Sequence, residues 1–170
     1  MGAELSARKE QSLRRRTAAA PTEAEIAVVS WLDARIAHLV RATIAAIARD
    51  HPELVAAILF GSIARHDERP LSDAEPSDVD LLLLFDSRVG PTRISGDKLL
   101  AICASAGQVL DRYADAPREA QTIPATWALA EWDAAFVENV ARDGILLWAR
   151  GPLPPALAAV GARDVAAGIP

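Results

Sequence analysis

The 170-residue chain reads as one α/β (α+β) domain: a small mixed sheet with helices packed mainly on one face. Three observations predict this. Two short apolar runs, Ala56–Phe60 and Leu81–Phe85, are bounded by turn residues, as buried strands are. Two longer stretches repeat apolar residues every three or four positions, as helices lying on a sheet do. The elements then follow in the order helix, strand, strand, helix, strand, helix, strand, with no internal repeat and no second domain.

The first helix is expected to open at Thr22. Thr22-Glu23-Ala24-Glu25 has the form of a capping box. Ile26, Val29, Leu32, Ile36, Val40, Ile44 and Ile47 then make a core-facing stripe, with Trp31 and His38 at its rim. Asp50-His51-Pro52 stops it, because a residue before proline is pushed out of the helical region. The first strand ends at Gly61-Ser62, and Ser62-Ile63-Ala64-Arg65 reads as the first turn of a short helix. His66–Ser77 carries Asp67, Glu68, Asp73, Glu75 and two prolines, and reads as a mobile acidic loop that takes no part in holding the sheet. The second strand follows Asp78-Val79-Asp80.

Asp86–Thr92, with Gly90-Pro91, is a loop, and Ser95 caps a second helix. Its buried stripe is Leu99, Ile102, Ala106, Leu110 and Tyr113, and Cys103 beside it is expected to be buried as a small hydrophobe. A third strand spans Thr122–Leu129, with Pro124 weakening its beginning. Glu131–Arg142 is a third helix, with Trp132, Phe136 and Val140 inward and Gly144 in the C′ role. Ile145–Trp148 is a short strand at or near an edge. The core pattern ends at Gly151, where prolines follow. Residues 1–20 thus form a basic arm, 21–150 the domain, and 151–170 a Pro/Gly/Ala-rich tail with at most one short helix.

Composition narrows the function. A net charge of −5 argues against nucleic acid as a partner of the surface as a whole. Only the arm, with Arg8, Lys9, Arg14, Arg15 and Arg16 against Glu4 and Glu10, has the sign for RNA or an acidic partner; a frayed, solvated arm is the simpler reading. The single cysteine excludes an internal disulfide and a cysteine-based zinc site, and fits a reducing cytoplasm. The three histidines have no metal-ligand spacing. The longest apolar run, Leu54–Phe60, is too short to cross a membrane, and the first twenty residues lack the apolar region of a signal peptide.

The chemistry lies between the two central strands. Residues i and i+2 of a strand face the same way, about 6.6 Å apart. Asp78 and Asp80 therefore share a face, and an apolar strand that opens with two co-facial carboxylates calls for positive charge between them. Such a pair suits two hard cations about 3.5–4 Å apart, the arrangement used for in-line phosphoryl displacement. Gly61 permits close backbone approach, Ser62 adds a hydroxyl at a helix start, and Arg65 lies one turn on, so this turn suits phosphate. Together they describe a site for a nucleoside triphosphate with Mg²⁺. Taken singly, each piece has a plainer reading: aspartates before strands serve turns, Gly-Ser is a common strand-to-helix turn, and Arg65 is a solvated charge.

Gly61-Ser62 followed at a distance by Asp78-Val79-Asp80 resembles the signature of the DNA polymerase β-type nucleotidyltransferase superfamily. FGSIAR, SDVDLLLLF and the later FVENVARDGILLW resemble its small bacterial branch, the minimal nucleotidyltransferases, over Val55–Trp148. The resemblance implies a polymerase β-like core, transfer of a nucleoside monophosphate from an NTP such as ATP to an acceptor, and Mg²⁺ on Asp78 and Asp80. It also implies Gly61 and Ser62 on the phosphates and, by analogy with branch members that act as antitoxins, a helical toxin-type protein as partner. Two departures stand out. Fifteen residues, Ile63–Ser77, separate Ser62 from Asp78, more than the family spacing. Active members carry a third carboxylate on a later strand, and Thr122–Leu129 has none; Glu119 before it and Glu131 after it are the nearest acids, and either needs the loop to bring it to Asp78, a solvated charge being the simpler reading of each. Two functions stay open on these residues: a nucleotidyltransferase, or a catalytically degenerate module of the same fold that binds nucleotide or protein.

Overall fold

Strands β1 (Leu54–Phe60) and β2 (Val79–Phe85) are the middle pair of a four-stranded sheet. The computed structural model describes residues 19–86 and 93–161. The sheet order is β3-β2-β1-β4, with β3 at Ala120–Thr126 and β4 at Ile145–Ala149. β1 runs antiparallel to both β2 and β4, whereas β2 and β3 are parallel, so the sheet is mixed as expected. Central position explains the uniformly apolar runs: Leu81 to Phe85 are each buried, because both faces of β2 are covered.

The helices are α1 (Ala34–Asp50), α2 (Gly61–Arg65), α3 (Gly96–Leu110) and α4 (Ala134–Asp143). The two long ones, α1 and α3, cover one face, where Ile36, Val40, Ile44, Ile47 and Ile102 pack on Leu59, Leu81, Leu83 and Phe85. The other face carries the shorter α4, with Val140 against Ile58, Leu82 and Leu84. By strand alternation, Asp78 and Asp80 open the row that Leu82 and Leu84 continue, so they lie on the α4 side of the sheet.

Several elements depart from the sequence expectation for identifiable reasons. The capping box at Thr22 exists, with the Thr22 N–H and hydroxyl bonded to Glu25 at 2.7 and 2.9 Å, but it closes a single 3-10 turn, Glu23–Glu25. The helix proper starts at Ala34, where Asp33 accepts from the Arg35 N–H at 2.9 Å. Between them the Ala27 N–H donates to the Leu147 carbonyl of β4 at 2.9 Å. Ile26 and Val29 still reach the core, so the apolar spacing is satisfied without helix. The stripe of α3 is Ile102, Ala106 and Val109; Leu99 and Leu110 are exposed, and so is Cys103, which points away from the buried row.

Strand β3 begins two residues earlier than expected and ends at Thr126, with Pro124 tolerated because the strand lies at an edge. The α4 helix starts at Ala134, because Asp133 caps it through the Phe136 N–H at 2.7 Å. Gly144 ends α4 with an ordinary φ of −64°, not in the left-handed conformation of a C′ glycine. What it supplies is space: a Cβ there would strike the Val140 carbonyl. The core also continues past Gly151, since Leu157 and Val160 are buried beside Leu82 and Leu84. The basic arm (apart from its last two residues), most of the Asp86–Thr92 loop and the end of the tail lie outside the described residues. Among the described residues no helix is long and apolar enough to cross a membrane.

Candidate active site

The antiparallel register pairs Phe60 with Asp80, which sets the turn after β1 beside the half-buried acid of β2. Gly61 makes that turn with φ +78°, a conformation that side chains disfavour. A Cβ on Gly61 would also collide with the Asp80 carboxylate. The glycine is thus needed twice, once for the backbone and once to leave room for the acid. Ser62, half-buried, follows in the first turn of α2.

The far end of α2 is held by a residue that the sequence assigns only to a helix rim. The Trp31 indole N–H donates to the Ile63 carbonyl at 3.0 Å, and its ring stacks on His66 with centroids 4.9 Å apart. His66 ends α2 in the left-handed region, φ 57°. Arg65 is engaged locally: its Nε meets Asp67 at 3.0 Å and its guanidinium lies 4.0 Å from Asp143 at the end of α4. It still faces Asp80 as a charge, though it does not bond to it.

Burial holds the Asp80 carboxyl above the usual carboxylate range; the charge of Asp78 pushes the same way, and Arg65 opposes. The pair is therefore close enough to repel. Asp78 finds a neutral donor. The Gln121 carboxamide, from β3, donates to its carboxylate at 2.8 Å. Gln121 is the parallel register partner of Asp80, which brings its side chain to the same face. A strand start at Thr122 leaves Gln121 outside β3, whereas the observed strand begins at Ala120 and includes it.

The two remaining acids do other things. Glu131 is taken up by Thr126, accepting from its N–H at 2.7 Å and its hydroxyl at 2.8 Å. Glu119 is exposed at the head of β3, and its backbone carbonyl accepts from the Val79 N–H at 2.9 Å. Among the described residues no three His, Cys, Asp or Glu side chains gather as a metal-ligand set. The donor set of Asp78 and Asp80, two hard carboxylates whose charges repel, fits one divalent cation completed by phosphate oxygens and water.

The long loop between α2 and β2 is not loose at its base. Buried Arg118 donates to the backbone carbonyls of Ser77 and, at 2.8 Å, Arg69. The Ser77 hydroxyl accepts from the Arg69 N–H at 2.9 Å. The loop closes on itself and is pinned one residue before Asp78, while Leu71 to Glu75 stay exposed.

Comparison with known proteins gives a family match. A family model described as "Polymerase beta, Nucleotidyltransferase" matches residues 42–151. No curated protein sequence matches the chain. One solved chain, from a crystal structure of a toxin-antitoxin with AMP-PNP, is similar at 18% identity over 68% of this chain and 78% of that chain, with a TM-score of 0.44.

Proposed function

The chain belongs to the polymerase β nucleotidyltransferase family, and on that premise we propose that it binds a nucleoside triphosphate with Mg²⁺ and transfers the nucleoside monophosphate to an acceptor, releasing pyrophosphate. One observation carries the reading: the Phe60–Asp80 pairing sets the Gly61-Ser62 turn directly against a carboxylate whose strand neighbour Asp78 faces the same way. Asp78 and Asp80 would hold the cation. The Gly61 backbone and the Ser62 N–H and hydroxyl would receive the β,γ-phosphates. Bound there, Mg²⁺ would neutralise charge on the phosphates and on the departing pyrophosphate. Arg65, paired with Asp67 and Asp143, contributes a positive field rather than a direct phosphate bond.

The acceptor we propose is a protein. The sheet and its helices form the whole described core, with no added unit to build a pocket for a small acceptor. Resemblance to the minimal branch gives that acceptor the form of a helical toxin-type partner in the same reducing cytoplasm. Small molecules of the aminoglycoside type are the second choice. A second functional reading, a nucleotide-binding module with little or no turnover, is favoured by Gln121 occupying the β3 position beside the two aspartates.

The test is incubation with each α-labelled NTP and Mg²⁺, with and without cell extract. Label on a protein supports the proposal, and label on RNA or a small molecule redirects the acceptor. Calorimetry of MgATP binding by Asp78→Asn and Asp80→Asn tests the site: affinity equal to the parent's in both would move the site elsewhere.

A further inference from the structure

We infer that Gln121 makes this a one-cation site: it holds a single divalent ion with the nucleotide, and the described residues offer no third acid for a second ion. The inference rests on the reading of Asp78 and Asp80 as the cation ligands. It starts from what the carboxamide does. Its Nε2 donates to Asp78 at 2.8 Å, so one carboxylate oxygen is already engaged by a neutral partner. A carboxamide adds no charge, and its remaining ligating atom is a neutral carbonyl oxygen. Asp78 and Asp80 therefore offer two negative charges at the site, which one divalent cation balances.

The neighbouring acids do not change the count. Glu131 is bound through both oxygens to Thr126 on the same strand. Glu119 precedes β3, is exposed, and joins no set of three acids with Asp78 and Asp80. A second cation would have no acid of its own among the described residues, only phosphate oxygens, water, the neutral Gln121 carbonyl and what it shares with the two aspartates. A two-metal site for in-line displacement instead holds both ions with protein acids about 3.5–4 Å apart. Gln121 differs from glutamate by one atom, so this chain stands one substitution from supplying the missing charge. In Gln121→Glu the donor to Asp78 becomes a third acid beside it. Without metal the three carboxylates repel; with two cations they are satisfied.

Mn²⁺ counting by electron paramagnetic resonance decides this, in the presence of a saturating non-hydrolysable ATP analogue. The parent should bind about one Mn²⁺ per chain in the ternary complex, and Gln121→Glu about two. Gln121→Met, which removes the amide without adding charge, should stay at about one, and so should Glu119→Gln. Two ions on the parent, or a count of one on folded Gln121→Glu, would overturn the inference while leaving the nucleotide site intact. Should Gln121→Glu not fold, the parent's own count still decides. If the parent binds no Mn²⁺ with the analogue, both the inference and the proposed cation ligands fall. If Asp80→Asn binds as much Mn²⁺ as the parent, the ligands are misassigned and the inference falls with them.

Discussion

Asp80 sits where an ionised carboxylate is costly, half-buried on an apolar strand beside a second acid. Its carboxyl is raised by burial first and by Asp78 second. In the unfolded chain it ionises near the ordinary value of 3.8. Its contribution to stability is therefore fully present below that value and is lost as pH rises through the higher folded value. At neutral pH without divalent ions, Asp80→Asn should melt above the parent, and it should lose the parent's stabilisation by Mg²⁺ with nucleotide. Thermal melts at neutral pH, with and without MgATP, check both outcomes; a variant that melts lower in the absence of metal would show that the carboxylate is not strained. Gly61 carries the complementary constraint. Gly61→Val faces a left-handed backbone and collides with Asp80, so it should cost about 1–3 kcal/mol and weaken MgATP binding. Urea unfolding together with calorimetry measures this, and a variant with the parent's stability and affinity would refute it.

At the scale of elements, what was legible depended on how local the cause was. The β1 turn and the start of β2 could be read because a short apolar run between turn residues has few other solutions, and the two aspartates are spaced along one strand. The site's outer parts could not. Gln121 reaches Asp78 only through the parallel pairing of β2 with β3, a contact between segments about forty residues apart that no local pattern encodes. Trp31 follows the same logic, since its bond to Ile63 needs the segment before α1 to leave the helix and pass alongside α2. The expectation of a loose His66–Ser77 loop failed for a related reason: its anchor, Arg118, lies far along the chain. Anchor and tip now separate experimentally. Arg118→Met leaves two carbonyls without their donor and should lower stability by about 1–3 kcal/mol. Shortening the exposed Leu71–Glu75 tip should change it little. Urea unfolding of both variants distinguishes them, and equal effects would mean that the whole loop packs as one unit.

Across the whole molecule, the two ends of the central strand pair are built on opposite electrostatic plans. The Gly61–Asp80 end leaves like charges facing each other for a ligand to satisfy. The other end, where Leu54 pairs with Phe85, is satisfied internally. Lys98 of α3 donates to the His51 Nδ1 at 2.9 Å and to Glu53 at 3.1 Å. That bond fixes the proton of neutral His51 on Nε2, which faces the Ser105 hydroxyl at 3.1 Å and the Ala101 carbonyl at 3.3 Å. Helices α1 and α3 are thus joined through a histidine that must stay neutral. Burial lowers its pKa, the Lys98 ammonium lowers it further, and Ala101, Asp50 and Glu53 oppose. The unfolded chain takes up this proton near 6.5 and the folded chain only at lower pH. Stability from this group is therefore fully present above 6.5 and is lost as pH falls through that value toward the folded one. Asp50 and Glu53, whose pKa values are also lowered on folding, add acid sensitivity only nearer their ordinary values of 3.8 and 4.5. Melting temperature should consequently begin to fall near pH 6.5, well before Asp50 and Glu53 titrate. His51→Gln keeps a neutral polar group at this position and cannot take up the proton. Its melting curve should be flatter than the parent's between about pH 7 and pH 5.5, even if its absolute stability is lower. Parallel curves for parent and variant over that range would assign the acid sensitivity to another group and sink the claim.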